Sequence, residues 1–146
     1  MNAIVVGTDG SEIAGRAVRA AGQLSLRTGA RVHVVSAYQP RAVARVGFVA
    51  SPASQGSTLQ AKFETEVETL LQDAASTLTA MGAKVECHAC AGDAAEAILE
   101  IAEKQGADLI VVGDRGMRGA QRFLLGSVPG KISHHAPCSV MIIRTV

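Results

Sequence analysis

Five short apolar runs alternate along the chain with four longer segments whose apolar residues recur every three or four positions. The first run, residues 3–6, is apolar at every position, as expected of a strand covered on both faces. It ends in Gly7-Thr8-Asp9-Gly10-Ser11, a turn into a helix that Ser11 can cap. Ala14, Ala17, Val18, Ala21 and Leu24 give that helix one apolar face, and Gly29 ends it. Residues 32–38 read as a second strand. From 39 to 57 the period lapses, with Pro40, Gly47, Pro52 and Gly56, and a mobile loop beside the strand ends is predicted. Phe63, Val67, Leu70, Leu71, Ala74, Leu78 and Met81 then predict a long amphipathic helix over 58–81, closed by Gly82. Residues 84–89 form a short third strand, and Asp93 followed by Glu96 has the form of a capping box. Ala97, Ile98, Ile101 and Ala102 are the buried stripe of the helix it opens, which ends before Gly106. A fourth strand over 109–112, a glycine-punctuated segment from 113 to 126, a helix from 127 to about 135 and a fifth strand over 138–144 complete the pattern.

A strict strand–helix alternation implies a parallel sheet with right-handed crossovers and helices on both faces, an open three-layer α/β fold of the Rossmann-like kind. At 146 residues the chain suits one domain spanning 1–146. Ligands of such sheets sit beyond the carboxyl ends of the strands, so chemistry is expected there. Composition narrows the class further. Hydrophobic residues are 48% and aromatics only 3%, with no Trp, so the core is Val, Ile, Leu and Ala. Lys plus Arg number 14 against 13 for Asp plus Glu, which leaves no field to attract a nucleic-acid backbone, and the stacking aromatics of the common RNA-binding folds are missing. No apolar run approaches the roughly 20 residues of a membrane span. Three cysteines, Cys87, Cys90 and Cys138, make no disulfide framework. A cytoplasmic protein without membrane or nucleic-acid partners is expected. The last strand, with Val140, Met141, Ile142 and Ile143 apolar on both faces, predicts an edge that pairs with a second copy.

Two strand ends carry the residues that could do chemistry. After the first comes Asp9-Gly10-Ser11, and after the fourth comes Gly113-Asp114-Arg115-Gly116, then nine residues, then Gly126-Ser127 opening a helix. Phosphates need many N–H donors at close range; glycines let the backbone approach and a helix N-terminus adds positive dipole. Ser127 is expected to cap its helix and to offer its hydroxyl to a phosphate oxygen. Taken singly, each glycine could merely make a turn. Gly126-Ser-Val-Pro-Gly130-Lys131 is one residue short of a P-loop and runs on into Ile132. Gly7-Thr8-Asp9-Gly10 lacks dinucleotide-binding spacing and no acid ends the second strand, which disfavours NAD. Ser11, Ser127 and Ser139 have no recognisable His–Asp partners, so no hydrolase triad can be argued. In Cys87-His88-Ala89-Cys90 an extended backbone would point the two thiols to opposite faces, against a metal or redox pair. His134 and His135 near Cys138 fall at a helix end, where cations are favoured electrostatically without any metal.

The pattern Gly113-x2-Gly116-x9-Gly126-Ser127, with the Asp9 turn after the first strand and Ala136-Pro137-Cys138 before an apolar last strand, resembles the ATP-binding branch of the universal stress protein family over essentially the whole chain. The resemblance implies a flavodoxin-like sheet with strand order 3-2-1-4-5 and a homodimer paired through the last strands. It places Thr8 and Asp9 near an adenosine, Ala37 against the adenine with Val112 and Gly113 beside it, and Gly116, Gly126, Ser127 and Val128 around ribose and phosphates, with Arg115 alongside. Asp114 stands where the family more often has a small neutral residue. A carboxylate there is expected to repel outer phosphates, with Arg115, Arg118 and Arg122 to offset it. The implied function is an ATP-binding regulatory protein of the stress response, with Mg²⁺ as an optional companion. The alternatives are a sensor of AMP or cyclic AMP, a slow ATPase or autophosphorylating enzyme, and a dimeric interaction module that binds no nucleotide.

Overall fold

The computed structural model describes residues 1–38, 52–116 and 124–145, and only the backbone of residues 52–60. Its elements follow in the order β1 (Ala3–Gly7), α1 (Glu12–Thr28), β2 (Arg31–Tyr38), α2 (Pro52–Met81), β3 (Val85–Ala91), α3 (Ala94–Lys104), β4 (Leu109–Gly113), α4 (Ser127–His135) and β5 (Ser139–Ile143). The strands form one five-stranded sheet in the order β3-β2-β1-β4-β5, parallel throughout. This is the open α/β, flavodoxin-like arrangement expected. The winding reverses between β1 and β4, which separates their carboxyl ends into a crevice.

Alternation along the three central strands explains why they read as continuous apolar runs. Ile4, Val6, Val32, Val34, Leu109 and Val111 face α1 and α2, where they meet Ala17, Val18, Ala21, Val67, Leu71 and Leu78. Val5, Val35, Ile110 and Val112 face α3 and α4 and pack on Ala95, Ile98, Ala102 and Ile132. Ile4, Leu78, Ile110 and Ile132 are wholly buried; each such side chain contributes about 1.5–3 kcal/mol relative to exposure.

Helix ends follow their chemistry. Ser11 Oγ accepts from Ala14 N at 3.2 Å to open α1, and Gly29, at φ 77°, closes it in the left-handed region. Asp93 opens α3 by accepting from Glu96 N at 3.0 Å. One boundary differs from expectation. Helix α2 begins at Pro52, ahead of the predicted 58, because proline fits a first helical turn whose N–H groups have no intrahelical partner. The rest of the predicted loop, residues 39–51, lies outside the described residues.

Candidate functional site

The turn after β1 is held by its own polar groups. Thr8 N donates to Val35 O at 3.0 Å, locking the turn to β2. Thr8 Oγ1 accepts from Gly10 N at 3.3 Å and Asp9 Oδ1 accepts from Ser11 N at 2.9 Å. Gly10 carries the left-handed φ of 81° that this reversal requires.

The glycines after β4 serve a different purpose, since none of Gly113, Gly116 and Gly126 has a positive φ. Each stands where another group has come too near for a side chain. A Cβ on Gly113 would lie 2.9 Å from Ile13 Cγ1, and one on Gly116 would lie 2.7 Å from Asp9 Oδ2. On Gly126 it would lie 3.1 Å from Arg115 Cα and 3.2 Å from Asp114 O, both backbone atoms. Gly126 N donates to Asp114 O at 2.8 Å, closing the glycine segment onto the start of α4.

Ser127 is not the cap of that helix. Gly126 occupies the N-cap position, at φ −61° and ψ 165°, with no side-chain cap bond. A serine there would meet the Arg115 backbone, so the close approach overrides the usual capping preference. Ser127 and Val128 are therefore the first helical residues, whose N–H groups have no intrahelical partner, and Pro129 has no N–H to satisfy. An N-terminus of this kind is favourable for an anion.

Between these segments lies a cavity of about 470 Å³, within the range of small-molecule sites. Thr8, Asp9, Ala37, Val112, Gly113, Arg115, Gly116, Gly126, Ser127 and Val128 all line it. Sequence reasoning missed Ala94 and Ile98 at the start of α3, together with Ala14, Val35 and Ser36. Ile98 belongs to the predicted buried stripe of α3, and its Cδ1 lies over Gly7, the last residue of β1. Val35, Ala37, Ile98 and Val112 give the cavity an apolar wall suited to a planar heterocycle. Asp9 is the sole acid and Arg115 the sole base among the described lining residues.

Asp114 departs from expectation. It does not line the cavity. Its carboxylate accepts from Thr145 Oγ1 at 2.6 Å and Thr145 N at 3.3 Å, with Arg144 Nε at 3.7 Å and Arg115 Nε at 4.0 Å. Thr145 Oγ1 in turn accepts from Arg115 Nε at 2.9 Å. Burial works to raise the Asp114 pKa, but the Thr145 hydrogen bonds and the two guanidiniums outweigh it and hold the carboxyl below its usual value. The charge is thus engaged by the C-terminal segment rather than aimed at a ligand. Arg118 and Arg122 lie outside the described residues.

Elsewhere, Cys87 Sγ approaches Leu71 O of α2 at 3.6 Å, while Cys90 packs on the α3 and α4 face, so the two thiols point apart as expected. Burial raises both thiol pKa values. His134, His135 and Cys138 are not drawn into a ligand cluster; among the described residues the one group of three with metal-ligand spacing is His33, Glu86 and His88. Burial, then the facing His88 ring and Arg31, lower the His33 pKa against the opposing pull of Glu86. No helix among the described residues is long and apolar enough to cross a membrane.

A doubly wound parallel sheet with a glycine-lined cavity at its switch point defines the class, and comparison with known proteins gives the family. The Universal stress protein family profile matches residues 1–144. Universal stress protein Rv1636 of Mycobacterium tuberculosis is 35% identical over 144 residues, covering 97% of this chain and 95% of the relative. A crystal structure of a universal stress protein in complex with cAMP is 29% identical, with a TM-score of 0.75 over 99% of this chain and 98% of that one. The universal stress protein from Archaeoglobus fulgidus in complex with dAMP is 25% identical, with a TM-score of 0.68 over 98% of both chains. The chain belongs to the universal stress protein family.

Proposed function

We propose that this protein is an adenine-nucleotide-binding regulatory protein of the stress response, with the nucleotide held in the cavity between the ends of β1 and β4. The observation that carries the reading is the convergence on one 470 Å³ cavity of three close-approach glycines, a helix N-terminus and an apolar wall. The base rests against Ala37, Val35 and Val112; Asp9 and Thr8 face the ribose; Gly116, Ser127 and Val128 present N–H donors to phosphate, while Gly126, whose own N–H is taken by Asp114 O, lets the phosphate approach, with Arg115 beside them. ATP is the ligand implied by the resemblance of the glycine pattern to the family's ATP-binding branch. AMP or cyclic AMP is the second reading, supported by relatives solved with cAMP and dAMP. The Arg144 and Arg115 guanidiniums, 3.7 and 4.0 Å from the Asp114 carboxylate, support the triphosphate reading by offsetting part of the charge that opposes it.

Turnover is slow or absent on this reading. Asp9 is the only carboxylate among the described lining residues, and it already accepts from Ser11 N. It could not act both as a base and as the anchor of a metal ion. A Mg²⁺ ion accompanying a triphosphate would be held mainly by phosphate oxygens and water, with Asp9 its one protein carboxylate among those residues. Pairing of two copies along β5 belongs to the same proposal, since that strand is a sheet edge. Isothermal titration with ATP, AMP and cyclic AMP tests the ligand. Saturable binding of at least one is expected, and no binding of any of the three would overturn the reading. Phosphate release from ATP that disappears in Ser127→Ala would instead establish an enzyme.

A further inference from the structure

We propose that His33, His88 and Glu86 form a binding site for one divalent cation of the zinc class on the α3 side of the β2–β3 pair. The register sets this up: β2 and β3 run parallel with His33 opposite Glu86 and Val35 opposite His88. Because side chains alternate along a strand, residues 33, 86 and 88 project from the same face of the sheet. His33 Nδ1 stands 3.0 Å from His88 Nε2, with ring centroids 5.2 Å apart. The Glu86 carboxylate reaches the same place, with Oε2 3.8 Å from His33 Nδ1 and Oε1 4.0 Å from His88 Nε2.

Two imidazole nitrogens aimed at each other share a single proton when both rings are neutral: one must donate and the other accept. A cation in that position takes both lone pairs at once and adds the carboxylate. Ligands about 2.0–2.2 Å from a tetrahedral ion stand roughly 3.3–3.6 Å from one another. The nitrogens, 3.0 Å apart, need only part slightly, and the Glu86 carboxylate, whose two oxygens stand 3.8 and 4.0 Å from the two nitrogens, closes on the ion by turning about its exposed stem. Two nitrogens and an oxygen select zinc or a neighbouring transition metal over Mg²⁺ or Ca²⁺. His33 is 3% exposed and fixed within the sheet, whereas Glu86 is 48% exposed on the edge strand. An ion therefore has a rigid floor, a way in from solvent and room for water as fourth ligand. The site is separate from the nucleotide cavity, which His33, Glu86 and His88 do not line.

Chelator-treated full-length protein titrated with ZnCl₂ by calorimetry should bind one Zn²⁺ per chain at micromolar concentration or tighter. Co²⁺ loading should give a visible absorption spectrum without a thiolate charge-transfer band. His88→Ala and Glu86→Gln should weaken Zn²⁺ binding by tenfold or more, while loss of even an outer-shell partner commonly costs about 10–100-fold. A Cys87→Ser/Cys90→Ser/Cys138→Ser triple variant and a His134→Ala/His135→Ala double variant should bind as the wild type does. No Zn²⁺ uptake by the wild type, a thiolate band with Co²⁺, or undiminished binding by folded His88→Ala would each overturn the proposal. Imidazole ¹⁵N resonances of the wild type decide the matter even if variants misfold: Zn²⁺ must shift those of His33 and His88, and unmoved resonances at saturation would refute the site.

Discussion

Replacing Gly126 by Ala puts a methyl group where the loop backbone already stands. The added Cβ would be 3.1 Å from Arg115 Cα and 3.2 Å from Asp114 O, whereas relaxed carbon contacts are about 3.5–4.0 Å. The 114–116 backbone must therefore retreat by about 0.5 Å, and neither atom is a flexible side-chain end that could swing aside. Strain of this kind costs about 1–3 kcal/mol. In a chain of this size that lowers Tm by about 3 °C per kcal/mol. The same retreat pulls on the 2.8 Å bond from Gly126 N to Asp114 O and re-aims the donors at the start of α4. Loss of one good charge-assisted bond, about 1.5–3 kcal/mol, weakens nucleotide binding roughly 10- to 150-fold. Gly130→Ala is the internal control four residues along: nothing lies within 4 Å of its Cβ, and it sits inside α4. There alanine should stabilise by about 0.5–1 kcal/mol and leave affinity unchanged. Thermal melts and titration calorimetry with AMP, cyclic AMP and ATP read both effects. A Gly126→Ala protein that melts no lower than wild type and binds as tightly would refute the close-approach argument.

The Asp114 carboxyl titrates lower in the folded chain than its unfolded value of 3.8, so its ionised form stabilises above 3.8 and that contribution disappears as pH falls through the lower folded value. Asp114→Asn should lower Tm by a few degrees at pH 7, a loss of about 1–2 kcal/mol, with the gap closing as pH falls below 3.8 through the lower folded value; a gap that persists in strong acid would contradict the assignment. The same variant should leave the ratio of ATP to AMP affinity within about threefold, a difference of under about 0.7 kcal/mol, whereas a tenfold gain for ATP alone would restore the repulsion argument. Asp93→Ala should cost about 1 kcal/mol through the lost cap of α3, read as a lower urea midpoint; the half-exposed pair with Lys131 adds little. Sedimentation at micromolar concentration should return a dimer that Met141→Lys, on the exposed β5 edge, converts to monomer; a wild-type monomer would remove the pairing proposal.

The central strands were legible because both faces are covered: Ile4–Val6 and Leu109–Val112 have no polar position to break the run. Strand β3 was harder to bound. It lies at the sheet edge, so Glu86 and His88 interrupt its pattern, and it runs on to Ala91. The Pro52 end of α2 was hidden by residues that usually break helices, although proline is welcome in a first turn. At the cavity, glycine spacing revealed which segments meet but not which contacts exclude a side chain. That is why Ser127 read as a cap when Gly126 holds the position. Asp114 read as facing a ligand because the family resemblance sets its position beside the phosphates, but its carboxylate is held by Thr145 and Arg144, some thirty positions away. His33, inside an apolar strand, acquires chemical meaning only from the register that sets it opposite Glu86.

Asp114 joins two surfaces. Its N–H donates to Ile143 O at the end of β5, its carbonyl accepts from Gly126 N at the start of α4, and its carboxylate holds Thr145. A nucleotide pressing on α4 and a second copy docking along β5 would therefore act on one residue. Thermodynamic reciprocity then applies: whatever factor pairing contributes to nucleotide affinity, nucleotide must return to pairing. Apparent affinity would drift with protein concentration across the pairing range, making the ligand a reporter of how much of the protein is present.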